Sequence, residues 1–551
     1  MLSKLTVIVF AIGVISSNGQ QLPPPIVNIQ GLGNVQGSIG HTAWTNRPIF
    51  KFQAIPYGQS PIEGLRFKPT VNVGPWSGTK DASKPGVRCP QITMDYVNVD
   101  NEDCLTLSVY SNNLNATRPV MVYIHGGWFY TGGADMFKPD YLLESDIVLV
   151  VIQYRLGPLG FLSTMSEDIP GNAGMLDVIA SLDWVQQHIG NFGGNSDEVT
   201  IFGQSAGAST VTAMLHSPLV QNRPLAPFRK AIIQSGSLLV PRHIADSPVE
   251  GAIDIANRMG CTEARIEKCF QGTSTKILLE AFLAHRNETI AKRGFPYVAA
   301  TNIVVGGPSG LFPQHPKHYH QYANKEISIM AGTVSQDGLF LLDELYRMQP
   351  TLPKSFNSAH DLLLYVRTLH EKFGQTRLDG AMEAYAIGSN FLEREIDQLR
   401  WKDLVASLTD VCSTNGVKAP VLTEVHAFSR VNPDNVYLNS FDYASTQNAE
   451  IEYTVPFPHK GAVAHADELH YLFPVRALNA DDIKMAKIMV KLWTSFAIRG
   501  VPSADDIPFW PPASRLYGPY LKINTVSEQG SNYRNEFTAT AAKYRAKETD
   551  H

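Results

Sequence analysis

The sequence predicts an α/β fold, a large and mostly parallel sheet flanked by helices with further helices inserted as a cap, and three observations predict it. Residues 119–124 (P-V-M-V-Y-I) and 147–152 are continuous apolar runs, the composition of strands buried on both faces. Between Asp177 and Ile189, the residues Val178, Leu182, Val185 and Ile189 recur at helical spacing. Residues 192–207 read F-G-G-N-S-D-E-V-T-I-F-G-Q-S-A-G, a β-branched and aromatic run ending in a glycine turn, and residues 208–215 continue as a helix. Strands that alternate with helices in this way favour parallel pairing with helices on both sides.

In chain order, Lys4 and the apolar run 5–15 precede small residues at Ser17 and Gly19, the pattern of a signal peptide (1–19) cut before Gln20. Residues 26–57 alternate in short segments punctuated by Gly and Pro, predicting an antiparallel meander at a sheet edge. Residues 105–110 form the next strand, followed by the two apolar runs, the helix and the elbow strand. Further strands are expected at 231–233, 327–330 and 436–438, with the last at 520–523. Residues 249–283 and 353–415 are helical in pattern and are expected to cap the sheet. No repeat or linker divides 20–551, which reads as one domain.

The chain has 551 residues, 44% apolar and 18% charged, and a net charge of −5 from 46 basic and 51 acidic residues. A chain without a long basic run and with this balance is not built for nucleic acid or an anionic membrane. No later run is long enough to span a bilayer, and the tail Lys547-Glu548-Thr549-Asp550-His551 is no anchor or retention signal. The expected location is secreted and extracellular. Five cysteines suit that compartment: Cys89 with Cys104 and Cys261 with Cys269 are the simplest local pairs, leaving Cys412 as a buried thiol. Asn115 and Asn287 head sequons for glycosylation. The oligomeric state is not written in the sequence.

Gly203-Gln204-Ser205-Ala206-Gly207 is G-x-S-x-G between a strand and a helix, the context of a nucleophile elbow. Serine is a poor nucleophile at its free pKa, so it needs an imidazole and a carboxylate that orients the imidazole. Asp337 follows the 327–330 strand, although Asp337-Gly338 also reads as a plain turn. His465 follows the 436–438 strand; His470 competes, but it falls in a helix start where a packed or solvent-facing ring is the simpler identity. Gly126, Gly127 and Ala206 are expected to give backbone N–H donors to an oxyanion, and His125-Gly126-Gly127 also reads as a strand-end turn.

These residues resemble the type-B carboxylesterases, the cholinesterase-like branch of the α/β-hydrolases. The resemblance rests on 192–207, on Glu102-Asp103-Cys104-Leu105-Thr106-Leu107-Ser108-Val109-Tyr110, on Tyr154-Arg155-Leu156-Gly157-Pro158-Leu159-Gly160-Phe161 and on Gln234-Ser235-Gly236. Trp493-Thr494-Ser495-Phe496, Gly500-Val501-Pro502 and Trp510-Pro511 extend it over nearly all of the mature chain. It implies an α/β-hydrolase fold, Ser205, Asp337 and His465 as triad, and Gly126, Gly127 and Ala206 as oxyanion hole. It also implies the Cys89–Cys104 and Cys261–Cys269 bridges. The family's acid is usually glutamate, so the loop must bring the shorter Asp337 closer to His465, and Ala462 replaces a usual glycine. The Cys89–Cys104 loop lacks a tryptophan and Gln204 replaces the glutamate of cholinesterases, which argues against choline esters.

The leading expectation is a secreted serine carboxylesterase that cleaves apolar small-molecule esters through an acyl-enzyme on Ser205, with no metal or organic cofactor. Gln204 and Arg66-Phe67 are similar to insect juvenile hormone esterases, from which Asp177-Val178 departs. The rival class is a catalytically silent adhesion or binding protein on the same fold, like the neuroligin and glutactin branches.

Overall fold

In the computed structural model, which describes residues 23–93, 97–98, 101–240, 243–245, 248–293, 302–316, 326–348, 401–450, 461–514 and 516–543, the apolar runs become neighbouring strands of one sheet. Its strands are β1 (Ser38–His41), β2 (Pro48–Pro56), β3 (Thr106–Ser111), β4 (Arg118–Ile124), β5 (Val148–Ile152), β6 (Gly194–Gln204) and β7 (Lys230–Gln234). The remaining four are β8 (Ser328–Val334), β9 (Val436–Phe441), β10 (Tyr520–Ile523) and β11 (Glu528–Gly530). Among the described residues this sheet is 11-stranded, in the order β11-β10-β9-β8-β7-β6-β4-β5-β3-β2-β1. Pairing is parallel from β5 through β4 to β10 and antiparallel at both edges.

Helices cover both faces, so both faces of the central strands are apolar. On β4, Val120, Val122 and Ile124 pack on one side with Val178 and Val185 of α1 (Ala173–His188) and Val211 of α2 (Ala206–His216). Met121 and Tyr123 pack on the other side with Met489, Trp493 and Phe496. Those last three belong to a 20-residue helix, Ala480–Arg499, which Asn479 begins with a capping box and Gly500 ends at φ 74°. A cap of this kind is worth ~1 kcal/mol. Each large aliphatic side chain fully buried here contributes roughly 1.5–3 kcal/mol.

Three expectations change. Tyr520–Ile523 is not the last strand: β11 pairs antiparallel with it, Tyr520 opposite Gly530. Its Glu528-Gln529-Gly530 sequence carries no apolar alternation, because an exposed edge strand needs none. The elbow strand starts at Gly194 rather than 199, with a register shift between Gly194 and Val199. The N-terminal meander divides: Ile26–Ile29 and Gly33–Gln36 join Thr79–Asp81 in a separate 3-stranded sheet, while β1 and β2 edge the main one.

The predicted cap region 249–283 holds the helices Pro248–Arg258, Ile266–Gly272 and Thr275–Arg293. They bury Ile255, Phe270, Leu279 and Phe282 in a core of their own with Leu339 and Leu342. Of the region 353–415, the described part is helical from Trp401 to Ser413; 353–400 lies outside the described residues, as does the segment 1–19 expected as a signal peptide.

Candidate active site

The chain runs from β4 to β5 on one side and from β5 back to β6 on the other, so the strand order reverses at β4. Ligands of open α/β sheets sit beyond the carboxyl ends of the strands at such a switch point. The register pairs Ile124 with Gly203, which brings Gly126 and Ser205 side by side just past the sheet.

Ser205 stands at φ 58°, ψ −126°, N-capping α2, and its N–H donates to Gln234 O at 2.9 Å. A non-glycine residue at positive φ is strained and persists only where the surroundings hold it. Here glycines let the surroundings close in. A Cβ at Gly207 would sit 2.0 Å from Ile124 O, one at Gly203 2.5 Å from Gly207 C, and one at Gly236 2.2 Å from Ser205 O. A Cβ at Gly126 would sit 2.6 Å from Gln204 O.

The loop after β4 is fixed by its own ring. His125 Nδ1 donates to Gly126 O at 2.8 Å, and its imidazole stacks on Tyr154 at 4.6 Å. Burial lowers its pKa to about 4, so His125 is a neutral structural residue. Gly127 takes φ 114°, and Trp128 and Phe129 follow at φ 57° and 61°. Gln91 ties this loop to the first disulfide: its Oε1 accepts from Gly132 N at 2.9 Å and Thr131 Oγ1 at 2.9 Å. Cys89–Cys104 and Cys261–Cys269 are both bonded, with Cα–Cα distances of 5.1 and 6.0 Å. Behind the bridge, Arg66 pairs with Glu102 and donates to Thr273 O at 2.6 Å. Cys412 is the free thiol, half-buried rather than buried as expected, and desolvation pushes its pKa up to about 12.

Asp337 and His465 meet across 128 positions of sequence, His465 Nδ1 lying 2.6 Å from Asp337 Oδ1. The shorter acid reaches because its loop is stitched to the histidine loop by Gln336. Gln336 N donates to Val463 O at 2.9 Å, and Val463 N donates to Gln336 Oε1 at 2.8 Å. Asp337 is fully buried, and its Oδ2 accepts from Ser235 Oγ at 2.7 Å and Val334 N at 3.1 Å. Gly338 is no left-handed turn residue; it is needed because the 401–413 helix approaches closely, its Ser413 N lying 2.1 Å from where a Cβ would stand. On the histidine side, Asp467 Oδ2 accepts from Ala464 N at 2.9 Å, and Ala466 turns the chain at φ 72°.

With Nδ1–H donating to Asp337, His465 Nε2 carries the lone pair. It faces Gln204, whose amide Nε2 donates to it at 3.1 Å. Among the described residues no hydrogen bond joins it to Ser205 Oγ. Phe340 stacks on the imidazole at 4.1 Å and 18°, and Trp128 lies 5.6 Å from Phe340, so the ring is backed by an aromatic wall. His470 takes no part: its Nδ1 is 4.0 Å from Asp467 Oδ1, and burial lowers its pKa to about 4.

Sequence reasoning missed Ser235, Gln336 and the Gln204 contact. Gln234-Ser235-Gly236 carried a signal as a family-like piece without a role; nothing local marked Gln336. Of the sequons, Asn115 is exposed in the turn between β3 and β4, and Asn287 is exposed within the 275–293 helix. Asp177 has a structural task, holding buried Arg155 at 2.7 Å. Among the described residues, no cluster of three or more His, Cys, Asp or Glu could hold a metal, and no helix is long and apolar enough to cross a membrane.

A family model described as "Carboxylesterase family" matches residues 23–541. Glutactin of Drosophila melanogaster is 27% identical over 521 residues, 90% of this chain and 49% of that protein, so the chain spans about half of glutactin's length. Esterase FE4 of Myzus persicae is 28% identical over 523 residues, covering 90% of this chain and 88% of that one. Cocaine esterase of Homo sapiens is 30% identical over 530 residues, with the same 90% and 88% coverage.

Proposed function

The chain belongs to the carboxylesterase family, with the α/β-hydrolase sheet and the esterase kinship of a carboxylic ester hydrolase, and from that premise we propose that it works through an acyl-enzyme on Ser205. The observation that carries this reading is the 2.6 Å contact of His465 Nδ1 with Asp337, which leaves Nε2 turned toward the elbow. Ser205 Oγ attacks the ester carbonyl as Nε2 takes its proton, which requires the Gln204 amide to give way. Apo sites often hold catalytic hydrogen bonds loosely and tighten them on substrate. Gly126, Gly127 and Ala206 N–H groups receive the oxyanion; losing one such donor typically costs about 3 kcal/mol. His465 then protonates the leaving alcohol, and water repeats the sequence on the acyl-enzyme. Asp337 fixes the tautomer and stabilises the imidazolium.

The substrate class is an apolar carboxylic ester, in keeping with the Trp128–Phe340 wall beside the imidazole. The mature enzyme is a secreted single domain from Gln20, with glycans on Asn115 and Asn287; two disulfides suit an oxidising compartment.

One observation favours a second reading, a silent binding protein: Nε2 is engaged by Gln204 rather than Ser205. Hydrolysis of p-nitrophenyl esters of increasing acyl length, with Ser205→Ala in parallel, separates the two. We expect kcat to fall at least ~10³-fold in the variant. Equal rates for both proteins would remove the esterase and leave the binding protein.

A further inference from the structure

Lys418 is a fully buried cation that the reaction above does not use. It closes a π-helical turn, Thr414–Lys418, between the helices Trp401–Ser413 and Ala419–Ser429. Such turns are rare and frequently mark functional sites. Its ammonium donates to two backbone carbonyls, Ser335 O at 2.8 Å and Glu536 O at 2.6 Å. The first lies two residues before Asp337; the second lies in the C-terminal segment.

That segment is sewn to the acid loop at further points. Thr333 Oγ1 meets Tyr533 Oη at 2.5 Å, and Gln336 Nε2 donates to Thr540 Oγ1 at 3.5 Å. Buried Asp410 accepts from Thr540 N at 3.1 Å and Ala541 N at 2.9 Å. Burial raises the Asp410 pKa to about 6, a rise that the positive charge of Lys418 opposes. Removing an ammonium from water is costly, and an apolar side chain would fill this space without that cost. A methylene chain, however, cannot hold two carbonyls of different segments at one point.

Taking Asp337 as the acid of the triad, we propose that Lys418 is its positioning residue. The ammonium pins the Ser335–Asp337 backbone to the C-terminal segment, and Asp337 therefore meets His465 already aligned. Gln336 ties the acid loop to the histidine loop, and Lys418 ties it to the C-terminal segment. Misplacement of about 1 Å in such a pair costs ~10²-fold in rate.

The experiment compares Lys418→Met and Lys418→Arg, alone and combined with Asp337→Asn, by ester turnover and by the rate of fluorophosphonate labelling of Ser205. We expect Lys418→Met to lower kcat about 100-fold at unchanged KM, and Lys418→Arg to recover most of that loss. In the Asp337→Asn background the same change should cost under about 3-fold, because residues acting through one another are non-additive. A loss confined to KM, an equal loss in both backgrounds, or no loss would each overturn the proposal. If Lys418→Met does not fold, Lys418→Gln, which keeps an N–H donor, is judged by the same coupling. Absence of turnover in the unmodified protein would count against the esterase reading and not against this one, since labelling of Ser205 still reports its base.

Discussion

The two sides of the candidate site are built by different means. The elbow side, Gly203 to Gly207 with the loop after β4, is made of backbone: strands in register, one strained serine, and glycines packed to within a Cβ of their neighbours. The acid and histidine side is made of side chains that reach between distant segments: Gln336 to Val463, Ser235 to Asp337, Lys418 to Ser335 and Glu536. The first kind of order fails when an atom is added. The second fails when a hydrogen-bonding atom is changed and the shape is kept.

A methyl on the elbow is the harshest break. Gly207→Ala places Cβ 2.0 Å from Ile124 O, against backbone that cannot move aside. Expression of this variant should yield no folded protein, seen as absence of a cooperative thermal transition; a folded, active product would show that the elbow has slack. The matching change on the other side keeps shape. Asp337→Asn should fold with near-wild-type stability while kcat drops about 10⁴-fold, since an amide favours the wrong imidazole tautomer. A drop within tenfold would mean that Asp337 is not the working acid.

The smallest effect concerns Glu468, which is buried with its Oε1 accepting from Gln234 Nε2 at 3.3 Å. Burial, with Asp337 nearby, raises its pKa from 4.5 to about 8. Between those values the native state holds a proton that the unfolded chain has released. This group therefore contributes less stability as pH rises through that window. Thermal melts at pH 5 and pH 8 should show Glu468→Gln gaining on the unmodified protein as pH rises. A gap that does not change with pH would place the proton elsewhere.

The same contrast explains what the sequence made legible. Strands buried on both faces announce themselves as unbroken apolar runs, and the elbow is written in five consecutive residues because its order is local. Ser205 and Gly126–Gly127 stand out as candidates for that reason, beside a strand end and a turn that the sequence shows. The reach of Asp337 was not, because it depends on Gln336, whose partner lies 127 positions away, and any surface glutamine looks the same in sequence. β11 escaped because a three-residue polar edge strand leaves no periodicity, and the start of β6 because Asn195 to Glu198 are polar and extend no apolar run.

The tie between Thr333 and Tyr533 spans 200 positions, and Lys418 joins the acid loop to Glu536. During synthesis the Gly203–Gly207 stretch emerges well before the residues that make these ties. The footing of the Asp337 loop is complete only once Tyr533 and Glu536 have been added. A chain ending before Tyr533 would thus hold the elbow sequence without the ties that seat the Asp337 loop.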